Sequence, residues 1–564
     1  MAKAFIRDEA GTMTIFGLTF LILMIMIGGI AVDVMRYETR RTLLQNTLDR
    51  ATLAAASLTQ NMDPKVVVND YFLKAGLLQY LTSVTVTSAI NGRQVSATAA
   101  SDSNPLFMHL VGVNKLDAQG LSTAEQRINN VEIMLVLDVS GSMASNSKIT
   151  NLKTAANQFV TSMLTNDLEH KVSIGIVPFN GQINLGTSLA GKFALTSLNG
   201  LPGGSAMQPG VDCVDLPLAA YSTYAIPTNL ALPMTANVDT YSGSSTQPPS
   251  EANKWCPGAT TYTGTPAGSG GNIVRLPQQN IATLQGYING LNAVGATSIN
   301  AGLKWGITLL DPSVQSIYTS SINASTMPST MTGRPLAYDA PDAMKVIVLM
   351  TDGENFMEER VNDAYKTGYS PIWQATSGSA WSIFHPGKVD ASTPTKLCNS
   401  RPYYVPTQTT KWQSRPWNGT TPGNTACYVA TIPGAIVAGV TNRTWPEVWS
   451  VMGLQYVAQT FYTAASTYDV PSVTSLTAQV DEFRRQTQTT TMNSQLQSAC
   501  AAARANNVII YGIAFEATTN GQTQIRNCST DSVSGSHYFN ASGIQISSAF
   551  AAIAKNISQL RLTQ

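Results

Sequence analysis

Four short apolar runs, at 131–137, 172–179, 346–350 and 508–515, limit what this chain can fold into. Each is nearly continuous in Val, Ile, Leu, Met and Phe rather than alternating. That is the pattern of a strand buried on both faces of a parallel sheet. Segments with helical spacing lie between and after them. Ile149, Leu152, Ala156, Phe159, Val160 and Met163 repeat on one face from about 148 to 164. Residues 301–310, 496–505 and 546–560 also read as helices. Strands alternating with helices predict an α/β fold, a doubly wound and mostly parallel sheet of Rossmann-like type.

The ends of these runs carry oxygen-bearing side chains. Asp138 closes the first run, and Ser140 and Ser142 follow it in Asp138-Val-Ser-Gly-Ser142. Asp352 follows the third run, in Thr351-Asp-Gly353. Thr297, in Gly295-Ala-Thr-Ser298, precedes a helical stretch. Ligand sites of open α/β sheets lie at the carboxyl ends of the strands. Three loops could therefore meet at one edge and offer hydroxyl and carboxylate oxygens to a single ion. A set of hard oxygens without thiolate or imidazole suits Mg²⁺, Mn²⁺ or Ca²⁺. The plainer reading makes these residues loop caps and turn formers only.

The order of the three pieces resembles the metal-ion-dependent adhesion site of von Willebrand factor A domains. The resemblance implies that Ser140, Ser142 and Thr297 bind a divalent cation, Mg²⁺ first, through their hydroxyls. Asp138 and Asp352 would bind directly or through water. One coordination position would stay open for a carboxylate from a protein partner.

No charged residue lies between Glu9 and Asp33, so residues 15–32 are long and apolar enough to span a bilayer. The run is long for a signal peptide, and no Ala-x-Ala site follows it. Tyr37, Leu44, Leu48, Ala51 and Ala55 then continue on one helical face. One long helix, half in lipid and half out, is expected. Orientation is contested. Arg residues after the span favour a cytoplasmic domain by charge. Six widely spaced cysteines, all beyond the span, favour disulfides and an oxidising compartment. The cysteines weigh more, because long domains translocate largely regardless of flanking charge. Nearness within segments pairs them as Cys213–Cys256, Cys398–Cys427 and Cys500–Cys528.

A second resemblance agrees. Arg7-Asp-Glu-Ala-Gly-Thr12, the apolar span, Ala31-Val-Asp-Val34, Leu44-Gln-Asn46, Ala54-Ala-Ala56 and the C-terminal Leu560-Arg-Leu-Thr563 look like TadG-like proteins of the tight-adherence (Flp) pilus system. The resemblance implies a pilin-like N-terminal helix, TadE/TadG-like, joined to a periplasm-facing von Willebrand A domain. Phe16 stands five residues after Gly11, where prepilin-type processing usually has Glu. The span is therefore expected to stay as an anchor.

The expected organisation is an anchor and stalk over 1–60, a small α+β module over 63–125, and the A-type domain over 131–564. In the module, residues 66–78 have helical spacing. Residues 81–89 and 93–99 read as a strand pair turning at Asn91-Gly92. Two insertions interrupt the domain, at about 190–272 and 356–490. The second holds six of the eight tryptophans, among them Trp373, Trp381, Trp412 and Trp417. Leaving the sheet beside Asp352, it reads either as a recognition surface near the ion or as the core of a small subdomain.

Net charge is +1 and charged residues make up 12%, which argues against a basic nucleic-acid binder. No HExxH and no GxxxxGK[ST] occurs, and Ser140 and Ser142 have no neighbouring His in sequence, so an enzyme is not expected. The sequence reads as a membrane-anchored, extracytoplasmic binding protein. It would hold an acidic residue of a pilus or secretion-complex component through a divalent cation. Two alternatives stay open: an anchored adhesin for an external surface or host ligand, and a structural stalk whose metal only stabilises the fold.

Overall fold

A helix of 47 residues, α1 (Ala10–Ala56), runs through the apolar stretch and beyond it. Proline is absent from the whole of α1, and the Leu, Met, Ala, Arg and Gln residues of its second half are good helix formers. The computed structural model describes residues 10–57, 62–89, 92–127, 130–165, 167, 169–196, 212–235, 256, 271–340, 343–377, 380–389, 401–419, 439–466, 475–531 and 535–560. They form two compact units: Met1–Asn129 with Asn166–Glu169 and Asn556–Gln564, and Asn130–Thr165 with His170–Lys555.

In the first unit, α1 exposes the side chains of its apolar half, Ile15, Phe16, Leu18, Phe20 and Ile27 among them. Its second half buries Leu44, Leu48, Ala51 and Ala55, the face that the sequence spacing marks. Asp63 caps a short helix, α2 (Pro64–Lys74), by accepting from the Lys65 amide. Three antiparallel strands follow in the order β1-β2-β3: β1 (Leu81–Ala89), β2 (Gly92–Ser103) and β3 (Leu116–Arg127). Asn91 of the expected turn lies outside the described residues. β3 carries no apolar alternation. Its positions toward α1 are Ala118, Gly120, Ser122 and Ala124, small residues that let the helix lie close, and this hides the strand from a hydrophobic pattern.

The second unit is built on a six-stranded mixed sheet. Its elements, in chain order, are β4 (Asn130–Asp138), α3 (Lys148–Leu164), β5 (Val172–Phe179), β6 (Arg275–Gln278), α4 (Ile281–Asn289), α5 (Ile299–Leu310), β7 (Ala343–Thr351), α6 (Thr489–Ala505), β8 (Val508–Phe515), α7 (Thr519–Cys528), β9 (Tyr538–Ala541) and α8 (Gln545–Leu560). The order across the sheet is β9-β8-β7-β4-β5-β6. The five strands from β9 to β5 pair in parallel, and β6 is antiparallel at the edge. The four apolar runs are the four central strands. β5 is buried at every position, and β4 and β7 at all but the first. β6 and β9, four residues each, are sheet edges with no apolar run and were not expected from the sequence.

Helix α5 is buried along its whole length. A Cβ on Gly302 would come within 2.6 Å of the Phe179 ring, and one on Gly306 within 2.7 Å of Val136. These glycines let α5 sit directly on β4 and β5, with its first turn at the carboxyl ends of the strands. Cys500 of α6 is bonded to Cys528 of α7, and Cys213 to Cys256. Cys398 and Cys427 lie outside the described residues.

The segment after Asp352 leaves through an antiparallel ribbon, Glu358–Val361 against Arg484–Thr487. It carries its own five-stranded sheet, in the order 412–413, 403–404, 381–384, 369–375, 440–444. Trp445 and Trp449 stack at 5.1 Å and meet Phe483. Trp373 is fully buried, Trp381 and Trp417 are 8% and 7% exposed, and Trp412 is half-buried. Of the two expected readings of these four, the burial of Trp373, Trp381 and Trp417 fits the core of a small subdomain, and only Trp412 keeps part of its surface for contact. The physical reason is that a small sheet cut off from the main core needs large apolar side chains of its own.

Candidate metal centre

β4 and β7 are neighbours, and the chain proceeds from β4 to one side of the sheet and from β7 to the other. The carboxyl ends of such a pair border the crevice where open α/β sheets take ligands. Asp138 is the last residue of β4 and Asp352 follows the last residue of β7. Register alone therefore brings two carboxylates to one place.

The first loop folds around Asp138. Its Oδ1 accepts the Ser140 amide at 2.7 Å, and its Oδ2 accepts the Thr351 hydroxyl at 2.6 Å. The side chain is fully buried, and that burial is the largest reason its pKa is raised to about 7. The neighbouring Asp352 carboxylate adds to the rise, and the bonds from Thr351 and Ser140 oppose it. Ser142 Oγ donates to Asp352 Oδ1 at 2.7 Å, Ser140 Oγ lies 3.0 Å from Ser142 Oγ, and Ser140 Oγ lies 3.5 Å from Asp352 Oδ1. Four of the five expected residues are thus joined by direct hydrogen bonds.

Thr297 comes by another route. Gly141 N–H donates to Gly295 O and Val294 N–H to Val139 O, both at 2.8 Å, which ties the loop before α5 to the loop after β4. Phe356 N–H donates to Thr297 O at 2.8 Å, and Ile299 N–H to Asn355 Oδ1 at 2.8 Å, which tie it to the loop after β7. Asn180, after β5, donates its Nδ2 to Val294 O and accepts Ser298 N–H on its carbonyl. Thr297 is 7% exposed at this junction.

One residue at the centre was not expected. Lys148 opens α3, is 8% exposed, and places Nζ 3.0 Å from Asp352 Oδ2 and 3.8 Å from Glu516. Asn146 and Ser147 before it both adopt left-handed backbone, with φ of 54° and 57°, and this turn aims Lys148 back at the strand ends. The sequence does hold a signal for it. A lysine at the first position of a helix faces the positive end of the helix dipole and needs a compensating acid elsewhere. Glu516, just beyond β8, also has left-handed backbone (φ 54°) and accepts the Gly543 N–H.

The donor set can be compared with what a cation needs. Oxygens on adjacent corners of an octahedron with bonds of about 2.1 Å lie about 3.0 Å apart. The Ser140, Ser142 and Asp352 oxygens are 2.7, 3.0 and 3.5 Å apart, two of the three near such an edge and the third longer. The residues present fit a small hard cation in the chemistry of their donors, and their oxygens already lie close together. Among the described residues no group of three His, Cys, Asp or Glu side chains converges as a metal cage. The centre has two carboxylates, and its other donors are hydroxyls.

Residues 11–58 match the model of the putative Flp pilus-assembly TadE/G-like family, over the segment whose motifs carry that resemblance. No curated protein matches the chain. Among solved structures, the von Willebrand domain of the type V pili tip protein Mfa5 from Porphyromonas gingivalis is 13% identical, covering 76% of this chain and 95% of that one, with a TM-score of 0.28. The adhesive tip pilin GBS104 from Group B Streptococcus agalactiae is 11% identical, covering 76% and 99%, with a TM-score of 0.29. The pilus adhesin RrgA from Streptococcus pneumoniae is 10% identical, covering 84% and 48%, with a TM-score of 0.28.

Proposed function

We propose that this chain is a membrane-anchored binding protein of a bacterial cell envelope, working in tight-adherence pilus assembly or attachment. Its second unit is read as a doubly wound A-type domain that holds a protein partner through a divalent cation, Mg²⁺ first. The reading rests most on one observation, the triangle of Ser140, Ser142 and Asp352 oxygens beside the buried Asp138, at the ends of adjacent parallel strands. Ser140, Ser142 and Thr297 would supply neutral oxygens, and Asp138 and Asp352 the charge. Two carboxylates leave a dication no surplus negative charge from the protein, so a third carboxylate from a partner is electrostatically welcome. The match over residues 11–58 and the apolar half of α1 support the anchor and the pilus setting.

Calorimetric titration of the full chain in detergent with Mg²⁺ tests the centre. The Asp138→Ala variant should bind Mg²⁺ more than about 100-fold more weakly, with its circular dichroism unchanged. Equal affinity in the variant and the parent would remove the assignment.

A further inference from the structure

Asp33 is the first charge after the apolar run, yet it is 2% exposed. Its carboxylate accepts three backbone N–H groups from one loop: Leu106 at 2.9 Å, Phe107 at 2.6 Å and Met108 at 2.9 Å. One turn earlier on α1, the Phe107 side chain packs directly on Gly29, where a Cβ would come within 2.3 Å of it. This loop is therefore fixed to α1 at the level of residues 29–33, beside the end of the apolar half.

The loop presents an apolar surface there. Leu106, Leu110 and Val111 are 57%, 63% and 47% exposed, and no Asp, Glu, Lys or Arg lies between Asn104 and Asn114, where the exposed His109 is the one titratable side chain. Immediately past this stretch, Lys115 pairs with Asp102 and Asp117, a solvated polar border. The neighbouring faces of α1 expose Ile25, Ile27 and Val32. The loop thus widens the apolar surface of the helix sideways instead of ending it. Gly29 lies four residues before Asp33, about 6 Å along a helix axis. That is the depth to which interfacial apolar faces enter a bilayer, about 5–10 Å. The three amides also solve a problem that lipid poses. A carboxylate at this depth loses water, and it must find its hydrogen bonds within the protein.

We propose that residues 106–111 insert into the headgroup–acyl boundary beside α1, forming with it a two-part anchor that binds a lipid surface. The proposal rests on the anchor reading above. It is tested by single nitroxide labels at Leu110→Cys and, as a second position, Val111→Cys. The full chain is reconstituted into phosphatidylethanolamine–phosphatidylglycerol vesicles. Met24→Cys, in the apolar half of α1, reports the span. Leu121→Cys, exposed on β3, is the aqueous reference, since its neighbour Gly120 packs on Leu48, about 22 Å beyond Asp33 along the helix. The loop labels should be relaxed severalfold more by oxygen relative to a water-soluble nickel chelate than the Leu121 label, as the Met24 label should be. Nickel access at both loop positions equal to Leu121, with Met24 in lipid, would overturn the loop insertion and leave the anchor standing. An aqueous Met24 label would overturn both. Loop labels shielded from oxygen and nickel alike would point to a protein contact and would also overturn it.

Discussion

The carboxylate of Asp138 is buried and hydrogen-bonded on both oxygens, while that of Asp352 shares its two oxygens between Ser142 and the Lys148 ammonium. The two acids therefore have different neighbours, and Lys148 supplies the positive charge that lets both lie close together without a cation. In the proposed metal-bound state a dication and this ammonium would compete for the same carboxylate. Lys148→Met should raise Mg²⁺ affinity about tenfold, which corresponds to about 1.4 kcal/mol. In chelator it should unfold more readily, by about 3 kcal/mol, because a buried charge has lost its partner. Titration calorimetry and urea unfolding with and without Mg²⁺ check both arms. Weaker Mg²⁺ binding in Lys148→Met would show that the lysine supports the site instead of competing with it.

At the scale of elements, the inserted sheet after Asp352 behaves as a subdomain with its own core of Trp381, Trp445, Trp449, Phe461 and Phe483, while Trp373 packs in a second small cluster with Tyr403 and Val440. His385 is locked into it, 5% exposed, with Nε2 donating to Phe461 O at 3.0 Å and its ring against Tyr404, Trp412 and Tyr462. Burial lowers its pKa from 6.5 to about 4, only partly opposed by that hydrogen bond. The folded state thus favours neutral His385. Its contribution is fully present above about pH 6.5 and is lost as pH falls towards 4, about 3 kcal/mol in all. Urea unfolding followed by tryptophan fluorescence should show stability falling across that window. His385→Gln should flatten this part of the profile, and an unchanged slope in the variant would remove His385 as its source.

At the scale of the whole molecule, the proposed anchor is the apolar half of α1 crossing one bilayer, and the proposed orientation puts the second unit on the far side from the cytoplasm. The disulfides Cys213–Cys256 and Cys500–Cys528 require an oxidising compartment to persist. An epitope placed after Gln564 should resist protease in intact cells and be cut once the outer membrane alone is permeabilised. Resistance that persists until the inner membrane is broken would put the units in the cytoplasm. Cutting in intact cells would put them on the surface and favour the adhesin reading.

Much of this was legible in the chain, and the reasons are local. A run such as 131–137 is apolar at nearly every position because a central parallel strand meets helices on both faces, so its burial is written in composition. Asp138, Ser140 and Ser142 could be placed together because they are neighbours in sequence. The buried face of α1 repeats with the period of a helix. Other features were set by packing between distant segments. β3 is invisible because small residues, not apolar ones, suit a close helix. Trp373 and Trp417 are interior because an inserted sheet had to make its own core, and composition alone does not distinguish a core tryptophan from an exposed one. Only the tertiary structure set Lys148 on Asp352, 204 residues away in sequence, and the amides of Leu106, Phe107 and Met108 on Asp33. Periodicity and composition record what a segment needs from its surroundings. The partner that meets a charge is recorded only where the chain returns to it.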